Sequence, residues 1–151
     1  MGECQPERNV RAVESYFASI NHGREVVASR EHPEWIQQRE RHTAELLHPS
    51  FQISFTARDG TDETYAGAER FAEAGSAWLQ PWREYRTNLE EAIPVGDHVV
   101  VVSRTWAIPS EGGEPIESLI TFLWTFRDGR VTRMEHFRTR EQALQAAEAA
   151  G

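Results

Sequence analysis

The sequence predicts an α+β domain with helices first and an antiparallel sheet after them. Three observations predict it. Helical periodicity dominates the first half of the chain, strand alternation dominates the second, and Asp128-Gly129 marks a two-residue hairpin turn near the end. Helices and strands in separate runs indicate α+β rather than alternating α/β. A chain of 151 residues is the size of one domain with a real core, so residues 1–151 are read as a single unit.

The first helix spans Val10–Ile20. Val10, Val13, Phe17 and Ile20 form its apolar stripe, and Asn21-His22-Gly23 ends it. A second helix is expected from Pro33 to Leu47, with Pro33 in its first turn and His48-Pro49 as its stop. The segment 22–32 between them is polar, extends the second helix or forms a loop, and has no assigned role. Phe51–Phe55 alternates as a half-buried strand, and Ala57–Thr64 reads as a loop. A third helix is expected over Ala66–Leu79, closed by Pro81. Four antiparallel strands follow at Tyr85–Ile93, Val99–Ile108, Ile116–Phe126 and Val131–Arg138, then an Ala-rich helix at Arg140–Ala149.

Composition narrows the functional classes. Net charge is −8, which opposes non-specific nucleic-acid binding. Cys4 is the single cysteine, so neither an internal disulfide nor a cysteine-based zinc site is expected. The histidines at 22, 32, 42, 48 and 98 show no metal-ligand spacing. No apolar run approaches membrane-spanning length and no apolar signal region opens the chain, so a cytoplasmic location is expected.

The element order, together with the segments Trp124–Phe137, Arg140–Ala147, Gly67–Phe71, Trp78–Trp82 and Val95–Val99, resembles the SnoaL-like group of the nuclear transport factor two-like superfamily. The resemblance covers nearly the whole chain. It implies a cone-shaped, curved antiparallel sheet that wraps around the N-terminal helices and encloses one apolar pocket. Its functional range is wide and includes polyketide cyclases, ketosteroid isomerases, epoxide hydrolases, dehydratases and non-catalytic binders.

Regular pairing from the Asp128-Gly129 turn would place Phe126 opposite Val131, Leu123 opposite Met134 and Thr121 opposite His136. Glu117, Thr121, Leu123, Met134 and His136 then share one face. Phe122, Trp124, Val131 and Phe137 share the other. Periodicity does not say which face is inside. The resemblance to ketosteroid isomerases implies that Met134 and His136 line the pocket. The opposite face, with Ile120, Phe122, Trp124 and Phe137, becomes the expected homodimer surface. A similar pairing across Gly96-Asp97 groups Leu89, Glu91 and Ile93 with Val100, Val102 and Arg104. Phe51, Ile53 and Phe55 are expected to point inward.

His136 is the first catalytic candidate, because imidazole exchanges protons near neutral pH. It falls where limonene-type epoxide hydrolases carry their water-activating Asp. The plain alternative is a histidine bonded to Thr121 or to a carboxylate. Arg104 matches an arginine of the same enzymes and would bind a carboxylate or an oxyanion. Trp106 replaces that arginine's acidic partner, and an ion pair of Arg104 with Glu91 is the alternative role. Tyr16 matches the oxyanion donor of ketosteroid isomerases, whereas Phe55 occupies the position of their base; a core tyrosine with its hydroxyl at the rim is the alternative for Tyr16. Glu117 would pair with His136 or Arg138, or lie exposed.

Phe71, Trp78 and Trp106 are expected as pocket wall, beside Phe51, Ile53, Phe55, Glu91, Glu117, Thr121, Leu123 and Met134. The expected function is cofactor-independent proton transfer on a small to medium apolar, oxygen-bearing substrate, as in cyclisation, isomerisation, dehydration or epoxide opening. The rival is a non-catalytic small-molecule-binding domain. A small-molecule ligand and a homodimer are the expected partners. No metal, nucleic acid or membrane is expected.

Overall fold

In the computed structural model, residues 4–21 and 43–150 are described. The described elements are α1 (Gln5–Asn21), β1 (Leu47–Thr56), β2 (Asp62–Ala66), a 3₁₀ turn (Ala68–Arg70), α2 (Phe71–Leu79), β3 (Trp82–Val95), β4 (His98–Pro109), β5 (Ile116–Arg127), β6 (Arg130–Phe137) and α3 (Arg140–Ala150). Of the helix expected over 33–47, residues 43–46 are helical and the remainder lies outside the described residues. The six strands form one curved, unclosed sheet in the order β2-β1-β6-β5-β4-β3.

Two elements differ from expectation. The segment read as loop and helix start contains β2, whose Tyr65 is its buried residue and pairs with Ile53 of β1. Gly67, at φ 103, breaks the chain between β2 and the helix, a conformation that excludes a helix starting at Ala66. Its N–H donates to the Phe51 carbonyl at 2.6 Å. The sheet is also not wholly antiparallel: β1 runs parallel to β6.

The two sheet faces bury different cores. One face meets α1 and α2 through Val13, Phe51, Phe55, Val99, Val101, Trp124, Phe126, Val131 and Met134. The other face meets α3 through Val100, Val102, Leu123, Ala143 and Ala147. Leaving the inner face to the pocket and the outer face to α3 explains why β4 is apolar on both sides.

The β5–β6 hairpin corrects the expected pairing. Asp128 (φ 52) and Gly129 (φ 79) form the positive-φ turn that their sequence predicts, and Phe126 pairs with Val131. A bulge follows at once: Thr125 pairs with Arg133, Trp124 with Met134, Leu123 with Glu135 and Phe122 with His136. Thr132 is the extra residue, and its hydroxyl donates to the Thr125 carbonyl at 3.2 Å. A shift of one residue exchanges faces. Met134 and His136 therefore share the inner face with Phe122 and Trp124, while Thr121 and Leu123 turn outward. The surface expected to dimerise is mostly the pocket wall, since Ile120, Phe122 and Trp124 face inward. Phe137 packs with the α3 cluster.

The β3–β4 pairing holds near its turn, where Ile93 faces Val100 and Glu91 faces Val102. That group lies on the outer face, not in the pocket. A second irregularity between Leu89 and Glu91 returns Leu89 to the inner core. Arg104, one strand alternation beyond Val102, is consequently outside.

Candidate functional site

A cavity of about 150 Å³ lies between the inner face of the sheet and the helices α1 and α2. Alternation along each strand supplies its wall: Ile53 and Phe55 from β1, Val101 and Ser103 from β4, Ile120, Phe122 and Trp124 from β5, and Met134 from β6. Helix α1 contributes Tyr16 and Phe17, and α2 contributes Phe71, Ala74 and Trp78. The rings meet mostly edge to face. Tyr16 lies 5.5 Å from Trp124, Phe55 lies 5.2 Å from Trp78, and Trp78 lies 5.8 Å from Phe122, measured between centroids. Such contacts fix ring orientations as well as filling space.

Polar groups enter chiefly from β3 and β4. Tyr85 and Thr87 line the cavity, and alternation along β3 brings both to its inner face. The Trp78 indole N–H donates to the Tyr85 hydroxyl at 2.7 Å. The hydroxyls of Thr87 and Thr105 lie 3.4 Å apart, and Ser103 donates to the Ile120 carbonyl at 3.4 Å. Burial pushes the Tyr85 phenol above its ordinary pKa, against the opposing hydrogen bonds from Trp78 and Thr105. The phenol stays protonated at neutral pH. No acidic, basic or histidine side chain is among the described residues that line this cavity.

The cavity gathers six of the expected site residues: Tyr16, Ile53, Phe55, Phe71, Trp78 and Met134. Phe51 sits behind them as fully buried core, 5.5 Å from the Phe71 ring. His136 lies one layer behind the wall. Its ring stacks on Phe122 at 5.1 Å and meets the edge of Trp78 at 5.4 Å. Its Nδ1 accepts the Thr56 backbone N–H at 3.2 Å, rather than bonding Thr121 or a carboxylate. Burial lowers its pKa and favours the neutral ring, and a proton-free Nδ1 leaves the proton on Nε2.

The remaining expected residues are elsewhere. Arg104 is exposed on the outer face and donates to Glu90 at 3.1 Å, and that carboxylate raises its pKa. Glu91 bonds Arg140 of α3 at 3.0 Å. Trp106 lies under the Arg86 guanidinium at 4.3 Å, and Glu117 is exposed beside it on β5. Thr121 and Leu123 face outward for the reason given by the bulge. Tyr85, Thr87, Ser103, Phe122 and Trp124 are cavity residues that the sequence reading missed. The aromatic run Phe122, Trp124, Phe126 on one strand face is the signal that could have found the last two.

Among the described residues, no group of His, Cys, Asp or Glu is arranged to hold a metal ion. Among them, too, no helix is long and apolar enough to cross a membrane.

A helix-capped, curved sheet around an internal apolar cavity is the fold of the nuclear transport factor two-like proteins. Within that class the chain belongs to the SnoaL-like domain family, whose profile matches residues 32–134. A candidate SnoaL-like polyketide cyclase from Jannaschia sp. CCS1 has a similar structure, with TM-score 0.67 and 19% identity over 100% of this chain and 98% of that one. TerC, co-crystallised with polyporic acid, is similar at TM-score 0.63 and 20% identity over 93% of this chain and 98% of its own. A nuclear transport factor two-like protein of unknown function from Burkholderia pseudomallei K96243 gives TM-score 0.62 and 18% identity over 95% and 97% of the two chains. These similarities concern the fold. No curated protein matches the chain in sequence.

Proposed function

We propose that the protein binds a small apolar molecule in the cavity between α1, α2 and the inner sheet face. One observation carries the reading: a cavity of about 150 Å³ whose wall is aromatic and aliphatic, interrupted by hydroxyl groups. An engineered cavity of about that volume, lined by Leu, Ile and Phe, stays dry and takes up benzene, so a ligand of one ring suits this space. The co-crystallisation of TerC, a protein of similar fold, with polyporic acid lends support to a small-molecule ligand. The test is calorimetric titration with one-ring hydrocarbons. Binding should saturate at one site and weaken sharply in Ala74→Leu, which fills the cavity from α2, while the circular dichroism spectrum is retained. Equal affinity in Ala74→Leu would place the ligand elsewhere.

Catalysis by proton transfer is the second reading, favoured by Tyr16 in the cavity wall and by a neutral His136 stacked on the cavity residue Phe122. In this reading Tyr16 donates to the substrate oxygen, and His136 takes a proton on Nδ1 once that nitrogen releases the Thr56 N–H and the ring turns past Phe122 into the cavity, with no part for Arg104. Exchange of the α-hydrogens of cyclohexanone in D₂O measures it directly. The reading expects exchange above the buffer rate, reduced by about 10²–10⁴-fold in His136→Ala. Exchange at the buffer rate leaves binding as the function.

A further inference from the structure

The polar end of the cavity has a direction built into it. An indole N–H donates and never accepts. The 2.7 Å bond from Trp78 therefore makes the Tyr85 oxygen an acceptor, and a Thr105 hydroxyl that likewise donates to that oxygen, the sense in which it favours the phenolate, leaves the phenol its own proton to give to a ligand. Trp78 and Tyr85 both line the cavity, Tyr85 from the buried inner face of β3 and Trp78 from the last turn of α2. Thr105, adjacent to Tyr85, is tied to Thr87 by the 3.4 Å contact between their hydroxyls. Ser103 already spends its proton on the Ile120 carbonyl. At this end the cavity thus offers the Tyr85 hydroxyl as a well-held donor in an apolar, aromatic enclosure, without a charged side chain among its described lining residues.

We propose that Tyr85, oriented by the Trp78 indole, is the specificity-determining residue of the cavity and selects neutral one-ring ligands bearing an acceptor oxygen, such as cyclic ketones. The inference rests on the binding reading above and adds the ligand's chemistry to it. A ketone oxygen accepts the Tyr85 proton, and its ring fills the aromatic enclosure. A hydrocarbon of the same shape leaves that donor without a ligand partner. A carboxylate must shed its water in a place that supplies no cation to replace it. Tyr85 is thereby a recognition group, with no bond made or broken in the ligand.

Cyclohexanone and methylenecyclohexane share shape and differ in the acceptor oxygen. The experiment titrates both, with benzoate as the charged probe, into the full chain and its Tyr85→Phe variant by calorimetry. Loss of one hydrogen bond should weaken cyclohexanone by about 2- to 13-fold and leave methylenecyclohexane within about 2-fold. Benzoate should bind more weakly than cyclohexanone. Tyr85→Phe strands a buried indole N–H, so the double variant Trp78→Phe/Tyr85→Phe, which removes both partners, is measured beside it. It should also lose the preference for the ketone.

An equal loss for both neutral probes, no loss for either, or benzoate binding tightest overturns the selection by Tyr85 and leaves an apolar cavity standing. Failure of both neutral probes to bind the unaltered chain overturns the binding reading itself, and the selection with it.

Discussion

Trp124→Ala tests the reassigned hairpin faces most directly. The indole is 3% exposed, lies 5.5 Å edge-on from the Tyr16 ring and 6.3 Å from Phe126. Truncating a buried tryptophan to alanine costs about 3–5 kcal/mol, from lost transfer energy and the space left behind. Here the space left behind adjoins the existing cavity, so nearby side chains have little to collapse against, and the upper part of that range is expected. For a chain of this length each kcal/mol lowers Tm by about 2–4 °C, giving a fall of about 6–20 °C. Leu119, on the other face of the same strand and 52% exposed, is the control. Leu119→Ala should change stability by less than about 0.5 kcal/mol. Urea unfolding followed by tryptophan-independent circular dichroism measures both. Unbulged pairing would reverse the pair, with Leu119 inside and Trp124 outside. A Trp124→Ala variant as stable as the parent, or a Leu119→Ala variant more damaged than it, refutes the inner-face assignment.

Three further outcomes are expected. Gly129→Val should destabilise by about 1–3 kcal/mol in the same unfolding assay, because φ 79 strains a β-branched residue although nothing lies within 4 Å of its Cβ; an unchanged midpoint would mean another turn geometry. Burial lowers the His136 pKa in the fold, so below its ordinary value of about 6.5 the unfolded chain binds a proton that the fold resists. That contribution to stability is present above about pH 6.5 and is lost as pH falls toward the folded value, and His136→Gln should flatten the slope of stability against pH there; parallel curves refute it. Arg140→Ala breaks the bond to Glu91, but both side chains are 41% exposed, so the loss should stay within about 1 kcal/mol; a loss above 2 kcal/mol would mean that α3 docks mainly through this pair.

Most of the fold was legible in the sequence because its signals are local. The α1 stripe, the Asp128-Gly129 turn and the alternation of the long strands each need only a few neighbouring residues. The misreadings are of two kinds. Strand β2 is polar at three of its five positions, Asp62, Glu63 and Thr64, and carries a single buried residue, Tyr65, so its periodicity is weak. It forms because β1 offers an edge to pair with. The parallel pairing of β1 with β6 is a tertiary arrangement that neither strand encodes by itself.

The site was less legible, and one residue accounts for most of the difference. With strict alternation Val131 shares a face with Arg133 and Glu135, while Met134 shares one with Thr132, so both faces of β6 are mixed. Setting Thr132 aside as a bulge separates them: Val131, Met134 and His136 fall on one face, Arg133 and Glu135 on the other, where they sit within 3.7 Å. The aromatic face of β5 then opposes the apolar face of β6, and burial of both outweighs the ladder bonds disrupted at one residue. The pattern was present in the sequence, but regular pairing from the turn was the simpler rule and concealed it. The same displacement exchanges the chemistry of the pocket. Thr121 and Glu117 leave with the outer face, Arg104 is already outside by the alternation of β4, and what remains inside is a set of rings around neutral hydroxyls. A cavity so composed recognises its ligand by shape and by hydrogen bonds to uncharged groups, which is why the donor on Tyr85 carries more discriminating power here than the arginine that the sequence put forward.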